Sequence, residues 1–234
     1  MTAEDKHKRV IRERRKRERD QRIQSILGAA KKVFFSKGYV KATMDEIALE
    51  AEISKPTIYQ YFKTKDDLFF SLMLPVIEDI GEQLEKVEKK LANGEYGSGG
   101  LVIQDLFNGF RHSYDMAPVT FRIVQLFQQT GLVGELDEET GSLLNEKGAR
   151  NFRLARRVME AAVKQGLIKD INIHEFVDVI WGLFVGIVQL EDIKSQHKQD
   201  NKYLKPTLNM AERIIIDAMS TEQRVEGGSN GGGT

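Results

Sequence analysis

Apolar residues recur at spacings of three and four along most of the chain, and no segment alternates with the period of two expected of a strand. Ile23, Ile26, Leu27, Ala30, Val33 and Phe34 form the first such stripe, which predicts a helix from about Arg19 with Gly38 as its stop. Thr43 and Glu46 then have the spacing of a capping box, and Met44, Ile47, Ala48 and Ala51 share one helical face behind it. Glu52 and Ile53 make a turn, Ser54 is a second N-cap, and Pro56 falls in the first turn of the next helix, where its missing N–H costs little. That helix turns Ile58 and Phe62 inward and Lys55, Thr57, Tyr59, Gln60 and Tyr61 outward.

Thr64 caps a longer helix whose seam is Leu68, Leu72, Val76, Ile80, Leu84, Val87 and Leu91. It should run to Asn93 and Gly94, about 40 Å at the usual rise, with a bend at Pro75. After the loop of residues 94–100, Val102, Ile103, Leu106, Phe107 and Phe110 predict a helix to Met116. Pro118 restarts the chain toward Gly131, residues 134–141 read as an acidic loop, and another helix covers roughly residues 143–165. Asn172 with Glu175 caps a helix from Ile173 to about Lys194, and a last one runs over residues 205–219. The pattern predicts an all-α fold of about nine helices.

Charge sharpens this picture. The sequence is neutral overall, yet residues 1–65 carry 17 Lys and Arg against 9 Asp and Glu, while the remainder carries 18 against 26. The first part is therefore built to meet a polyanion. Residues 1–22 form a basic arm in which Glu13 with Arg17 and Glu18 with Arg22 could support an exposed helix. Either the arm is a frayed extension or it follows phosphates and reaches a minor groove. There is no cysteine, the charged N-terminus lacks a secretory pattern, and residues 176–190 contain Asp178 and two glycines and fall short of a membrane span. A cytoplasmic protein with no membrane partner is expected.

A short helix, a tight turn and a second helix rich in donors and flat rings make a helix-turn-helix sized for a DNA major groove. Gln60 can pair two-point with adenine, Lys55 suits guanine O6 and N7, and the Thr57 methyl suits a thymine methyl. Tyr59 could instead be partly core, packed on the first helix.

The run ATMDEIALEAEISKPTIYQYFKTKDDL, residues 42–68, resembles the TetR (tetracycline-repressor-like) family of transcriptional regulators. The resemblance covers about residues 20–72 and rests on Gly38, Thr43, Ile47-Ala48, Thr57, Tyr59-Gln60-Tyr61-Phe62 and Lys65; beyond residue 72 it extends only to helix number and length. It implies a homodimer on a palindromic operator, released as a repressor by a small molecule held in a variable C-terminal domain. It also implies that Thr43 meets a phosphate, that Lys55, Thr57, Tyr59 and Gln60 reach base edges or nearby phosphates, and that Tyr61 and Lys65 anchor phosphates. The expected organisation is an arm at 1–18, a DNA-binding domain at 19–66, an effector-binding and dimerisation domain at 67–222, and a disordered tail at 223–234.

Residues 176–190 are apolar almost all around, so a helix there must be covered on two sides. With Gly182 and Gly186 permitting close approach, the helices at 173–194 and 205–219 are expected to form a two-fold four-helix dimer interface, as the resemblance also implies. Phe107, Phe110, Tyr114, Phe121, Gln125, Phe127, Phe152 and Trp181 could line a pocket for a hydrophobic or amphipathic, acyl-like effector, or simply be core. Arg111, His112 and Arg122 could meet its anionic end or lie at the surface. No metal-ligand spacing, phosphate loop or nucleophile motif is present, so no catalytic residue, metal or cofactor is expected. The alternative is a same-fold nucleoid or cell-division factor without an effector.

Overall fold

The computed structural model describes residues 3–129, 135–194 and 202–219. The expected tail at 223–234, Gly131, Gly134 and the side chain of Phe127 lie outside the described residues. The described chain is all-α: α1 Ala3–Lys41, α2 Met44–Glu50, α3 Lys55–Tyr59, α4 Lys65–Ala92, α5 Gly99–Met116, α6 Pro118–Gln129, α7 Glu138–Lys164, α8 Ile173–Lys194 and α9 Leu204–Met219.

Two helices begin earlier than the apolar pattern predicts. Helix α1 takes in most of the basic arm, because nothing between residues 3 and 37 breaks a helix and its Arg, Lys and Glu are good helix formers. The supporting ion pairs are Arg9–Glu13 at 3.5 Å and Arg14–Glu18 at 2.7 Å, in place of the expected Glu13–Arg17 and Glu18–Arg22. Gly38 does interrupt the helix, with φ 75° and ψ 165°. Helix α7 starts at Glu138, inside the expected loop, because Asp137 is an N-cap whose Oδ1 accepts the Thr140 N–H at 2.9 Å. That bond holds the Asp137 carboxyl below the usual carboxylate range.

The other caps form as their spacing requires. Thr64 and Asp67 bond reciprocally at 3.1 and 2.9 Å to open α4, which runs on through Pro75. The Asn172 side chain accepts the His174 and Glu175 amides at the start of α8. Three helices end in Schellman turns, with the left-handed residue supplied by Glu52 after α2, Gly94 after α4 and Gly166 after α7.

The chain packs as two compact units, one of residues 1–82 with 111–151 and the other of residues 83–110 with 152–234. In the first, α1 packs on α2 and α6, around a core that includes Ile26, Phe34, Ile47, Ile58, Phe62, Leu68 and Phe69. Phe34, Tyr39 and Phe69 meet there with ring centroids 4.8–5.9 Å apart. In the second, α8 packs on α9, and Lys169 closes the end of α9 by donating to the Ala218 carbonyl at 2.8 Å.

Helix α8 differs from expectation in one respect. Extended past residues 176–190 at both ends, it is long and apolar enough to cross a membrane by length and composition, and only 28% of its most apolar stretch is buried within the chain. Its outward residues Val179, Leu190 and Ile193 are exposed, as are Met210 and Ile214 of α9. A Cβ added at Gly182 or Gly186 would meet nothing within 4 Å.

Candidate functional site

The first unit presents α3 on a short, fully capped frame. Thr43 Oγ1 accepts the Glu46 N–H at 3.2 Å while Glu46 accepts the Thr43 N–H at 3.1 Å. The Lys37 ammonium, 2.6 Å from Glu46, and then the Thr43 amide hold the Glu46 carboxyl below its ordinary range. Together with Lys32–Glu50 at 2.8 Å, this fixes α2 against the end of α1. The turn to α3 closes through Ile53 N–H to Ala48 C=O at 3.0 Å and Glu52 N–H to Leu49 C=O at 3.0 Å. Glu52 takes φ 55° to do so.

Helix α3 is only five residues long. Ile58 and Phe62 are buried, and Lys55, Tyr59 and Gln60 are exposed. Tyr59 is 41% exposed, so it does not belong to the core. The Lys55 ammonium is 2.8 Å from Asp45, which raises its pKa above the ordinary lysine value. A DNA contact from Lys55 would therefore replace Asp45. The Thr57 side chain is half-buried, and its hydroxyl lies 2.7 Å from that of Ser54.

Tyr61, just past α3, is half-buried with the Arg19 guanidinium 5.3 Å above its ring. Lys65 is more deeply committed than its position at the head of α4 suggests. Its ammonium donates to the Tyr39 carbonyl at 2.9 Å and the Ala42 carbonyl at 3.2 Å, and lies 4.2 Å from the centroid of the Tyr39 ring. Next to it, Asp66 accepts the Tyr39 hydroxyl and, at 2.8 Å, the Asp137 N–H. Burial, then Asp66, pushes the Tyr39 phenol well above its ordinary pKa.

Tyr39, Arg19 and Asp45 are thus part of this surface or its support, and none stands out in the sequence. The one available hint for Tyr39 is an aromatic directly after the helix-breaking Gly38.

The residues expected around an effector fall into two groups. In the second unit, Phe110 meets Trp181 at 5.3 Å and Phe184 at 5.6 Å, Phe152 meets Trp181 at 6.3 Å, and Phe107 is fully buried. In the first unit, Tyr114 meets Phe121 edge-on at 5.6 Å, and Arg122 donates to the Tyr114 hydroxyl at 2.9 Å. Gln125 is 3% exposed, and its amide nitrogen has no hydrogen-bond partner. His112 lies 3.6 Å from Asp79, which also accepts the Ser113 hydroxyl at 2.6 Å. Among the described residues no group of three His, Asp or Glu is placed to hold a metal.

Residues 26–72 match the family described as bacterial regulatory proteins, tetR family. The chain is 31% identical over 206 residues to the uncharacterized HTH-type transcriptional regulator YfiR of Bacillus subtilis, covering 87% of this chain and 96% of that one. It is 30% identical over 148 residues to the fatty acid metabolism regulator protein of the same organism, covering 61% of this chain and 71% of that one. Its fold is similar to that of AibR in complex with isovaleryl coenzyme A and operator DNA, with a TM-score of 0.61 at 17% identity over 81% of this chain and 97% of that one. Capped helix-turn-helix, all-α remainder and near full-length likeness converge: the chain belongs to the TetR family and is a helix-turn-helix transcriptional regulator.

Proposed function

We propose that the protein is a cytoplasmic homodimeric repressor that binds a palindromic operator and leaves it when a small acyl-type molecule binds. The observation that carries the DNA reading is the exposed set Lys55, Tyr59 and Gln60 on α3, with Ile58 and Phe62 buried behind it. Gln60 and Lys55 read base edges, with the Thr57 methyl beside them. Thr43 and Tyr61 meet phosphates and fix the register. Lys65 acts first as the tie between α1 and α4, and reaches a phosphate only by giving up a carbonyl.

Pairing of two chains is supported by the uncovered apolar stripe on α8 and α9 and by the open Cβ positions at Gly182 and Gly186. It would set two recognition helices roughly 34–36 Å apart, one turn of duplex. The acyl class of effector is supported by the buried aromatics, by the unpaired Gln125 amide, and by what the similar regulators are described as regulating or binding. Helix α4 carries Lys65 at its head and belongs to both compact units, so a ligand that prefers one setting of α4 alters DNA affinity by that preference and no more.

The test is a panel of fatty acids and their coenzyme A esters, read by thermal unfolding and by release of a selected operator duplex. An effector present at 100 times its Kd adds about 2.7 kcal/mol. Each kcal/mol raises the Tm of a chain this size by about 2–4 °C. The full burial of Phe107 and Phe121 favours a second reading, in which these aromatics are core and the protein regulates without an effector. Intact DNA binding with no shift and no release across the panel would establish that reading instead.

A further inference from the structure

The helical extension ahead of the family-matched residues 26–72 carries a stripe that the operator reading does not use. Residues 5–22 are exposed throughout. Arg12, Arg15, Arg19 and Arg22 recur at spacings of three, four and three, which aligns them on one side of α1 over about 15 Å. Glu13 and Glu18 are turned to Arg9 and Arg14, and Asp20 lies well around the helix from the stripe. The stripe is continuous with the DNA-facing surface, because its Arg19 stands over the ring of Tyr61 at 5.3 Å.

We propose that this stripe is a second DNA-contact surface that lies along backbone phosphates next to those met by α2 and α3. The inference rests on the DNA-binding reading above and adds a footprint to it. Arginines three and four apart on a preformed helix supply a row of planar donors suited to phosphate oxygens. The same segment lacks the apolar face of a membrane-surface helix, since Val10 and Ile11 are its only large apolar residues before residue 23. Charge and shape together therefore select a nucleic-acid backbone over a lipid surface. The contact carries no base information, so it adds affinity and residence without changing the sequence read.

The experiment measures affinity of the full chain for a mixed-sequence duplex of about 40 bp across a salt series. The triple variant Arg12→Gln, Arg15→Gln, Arg22→Gln spares Arg19 and the core. It should lower the slope of log affinity against log salt by about 2–3 units, at about 0.9 per lost phosphate contact. Lysine at the same three positions should restore the slope, which a merely structural role would not do. Gln60→Ala should leave the slope intact while broadening the selected sequences. An unchanged slope in the glutamine variant overturns the proposal. So does loss of binding to phosphatidylglycerol-containing vesicles with the DNA slope unmoved, which would assign the stripe to a membrane surface. Failure of the wild-type chain to bind any duplex at low salt would overturn the DNA reading itself, and with it this extension.

Discussion

At the residue scale, the proposed function gives Gln60 and Lys65 different tasks, reading and support. Gln60 is exposed and ties into the frame through its backbone N–H to the Thr57 carbonyl at 3.1 Å, which alanine keeps, so Gln60→Ala should leave unfolding unchanged and lose about 1–3 kcal/mol of discrimination at one base pair. Binding selection against randomised duplexes, beside a urea melt, checks both halves. Lys65→Met should do the reverse. It abandons the Tyr39, Val40 and Ala42 carbonyls at the end of α1 and should cost about 1–3 kcal/mol of stability, visible in the same melt. Tyr39 adds a pH dependence whose sign is fixed. Its phenol is raised in the folded chain, so the stability it lends is whole below the ordinary tyrosine value of about 10 and drains away as pH rises past it. Tyr39→Phe should flatten the alkaline fall in unfolding free energy, measured by denaturant titration at several pH values. Glu46 works at the other end: its lowered pKa means that the α2 cap is intact above the ordinary Glu range and weakens on acidification.

At the element scale, the turn between α2 and α3 holds an avoidable cost. Glu52 occupies the left-handed position of a Schellman turn that α4 and α7 fill with Gly94 and Gly166. Glu52→Gly should therefore stabilise the chain by up to about 1 kcal/mol, read as a higher denaturation midpoint, without altering the bases selected. Caps were the most legible feature of this sequence, because Thr43–Glu46, Ser54–Thr57, Thr64–Asp67 and Asn172–Glu175 act over three residues and need nothing distant. The beginnings of α1 and α7 were not. A solvent-exposed helical stretch such as residues 5–22 has no apolar stripe to announce it, and Asp137 sits among glycines and acids that compose like a loop. The ties of Tyr39 to Asp66 and of Lys65 to the Tyr39 carbonyl escaped for a different reason: they join residues more than twenty apart, and no local spacing encodes them.

For the whole molecule, the uncovered face of α8 provides a clean test of pairing. Gly186→Leu branches from a Cβ position with nothing within 4 Å in its own chain, so the protomer should fold with its normal helicity. If that face is covered by a partner, the variant should sediment as a monomer. DNA binding should also fall by about 10²–10⁴, the advantage of linking two half-sites. Sedimentation and duplex binding on the same sample decide it. The exposed side of α3 was legible because exposure there follows from helical period alone, whereas an effector site depends on how several helices close around it, which periodicity does not specify.

The interleaving of the compact units bears on how such regulators can be recombined. The unit that carries α2 and α3 is completed by residues 111–151, returning to the chain after a stretch that belongs elsewhere. Asp66, at the head of α4, takes one of its bonds from that returning segment. A chimera cut after residue 66 would graft a reading head stripped of part of its own floor. One that also exchanges residues 111–151 would transplant the head with the surfaces it is packed on.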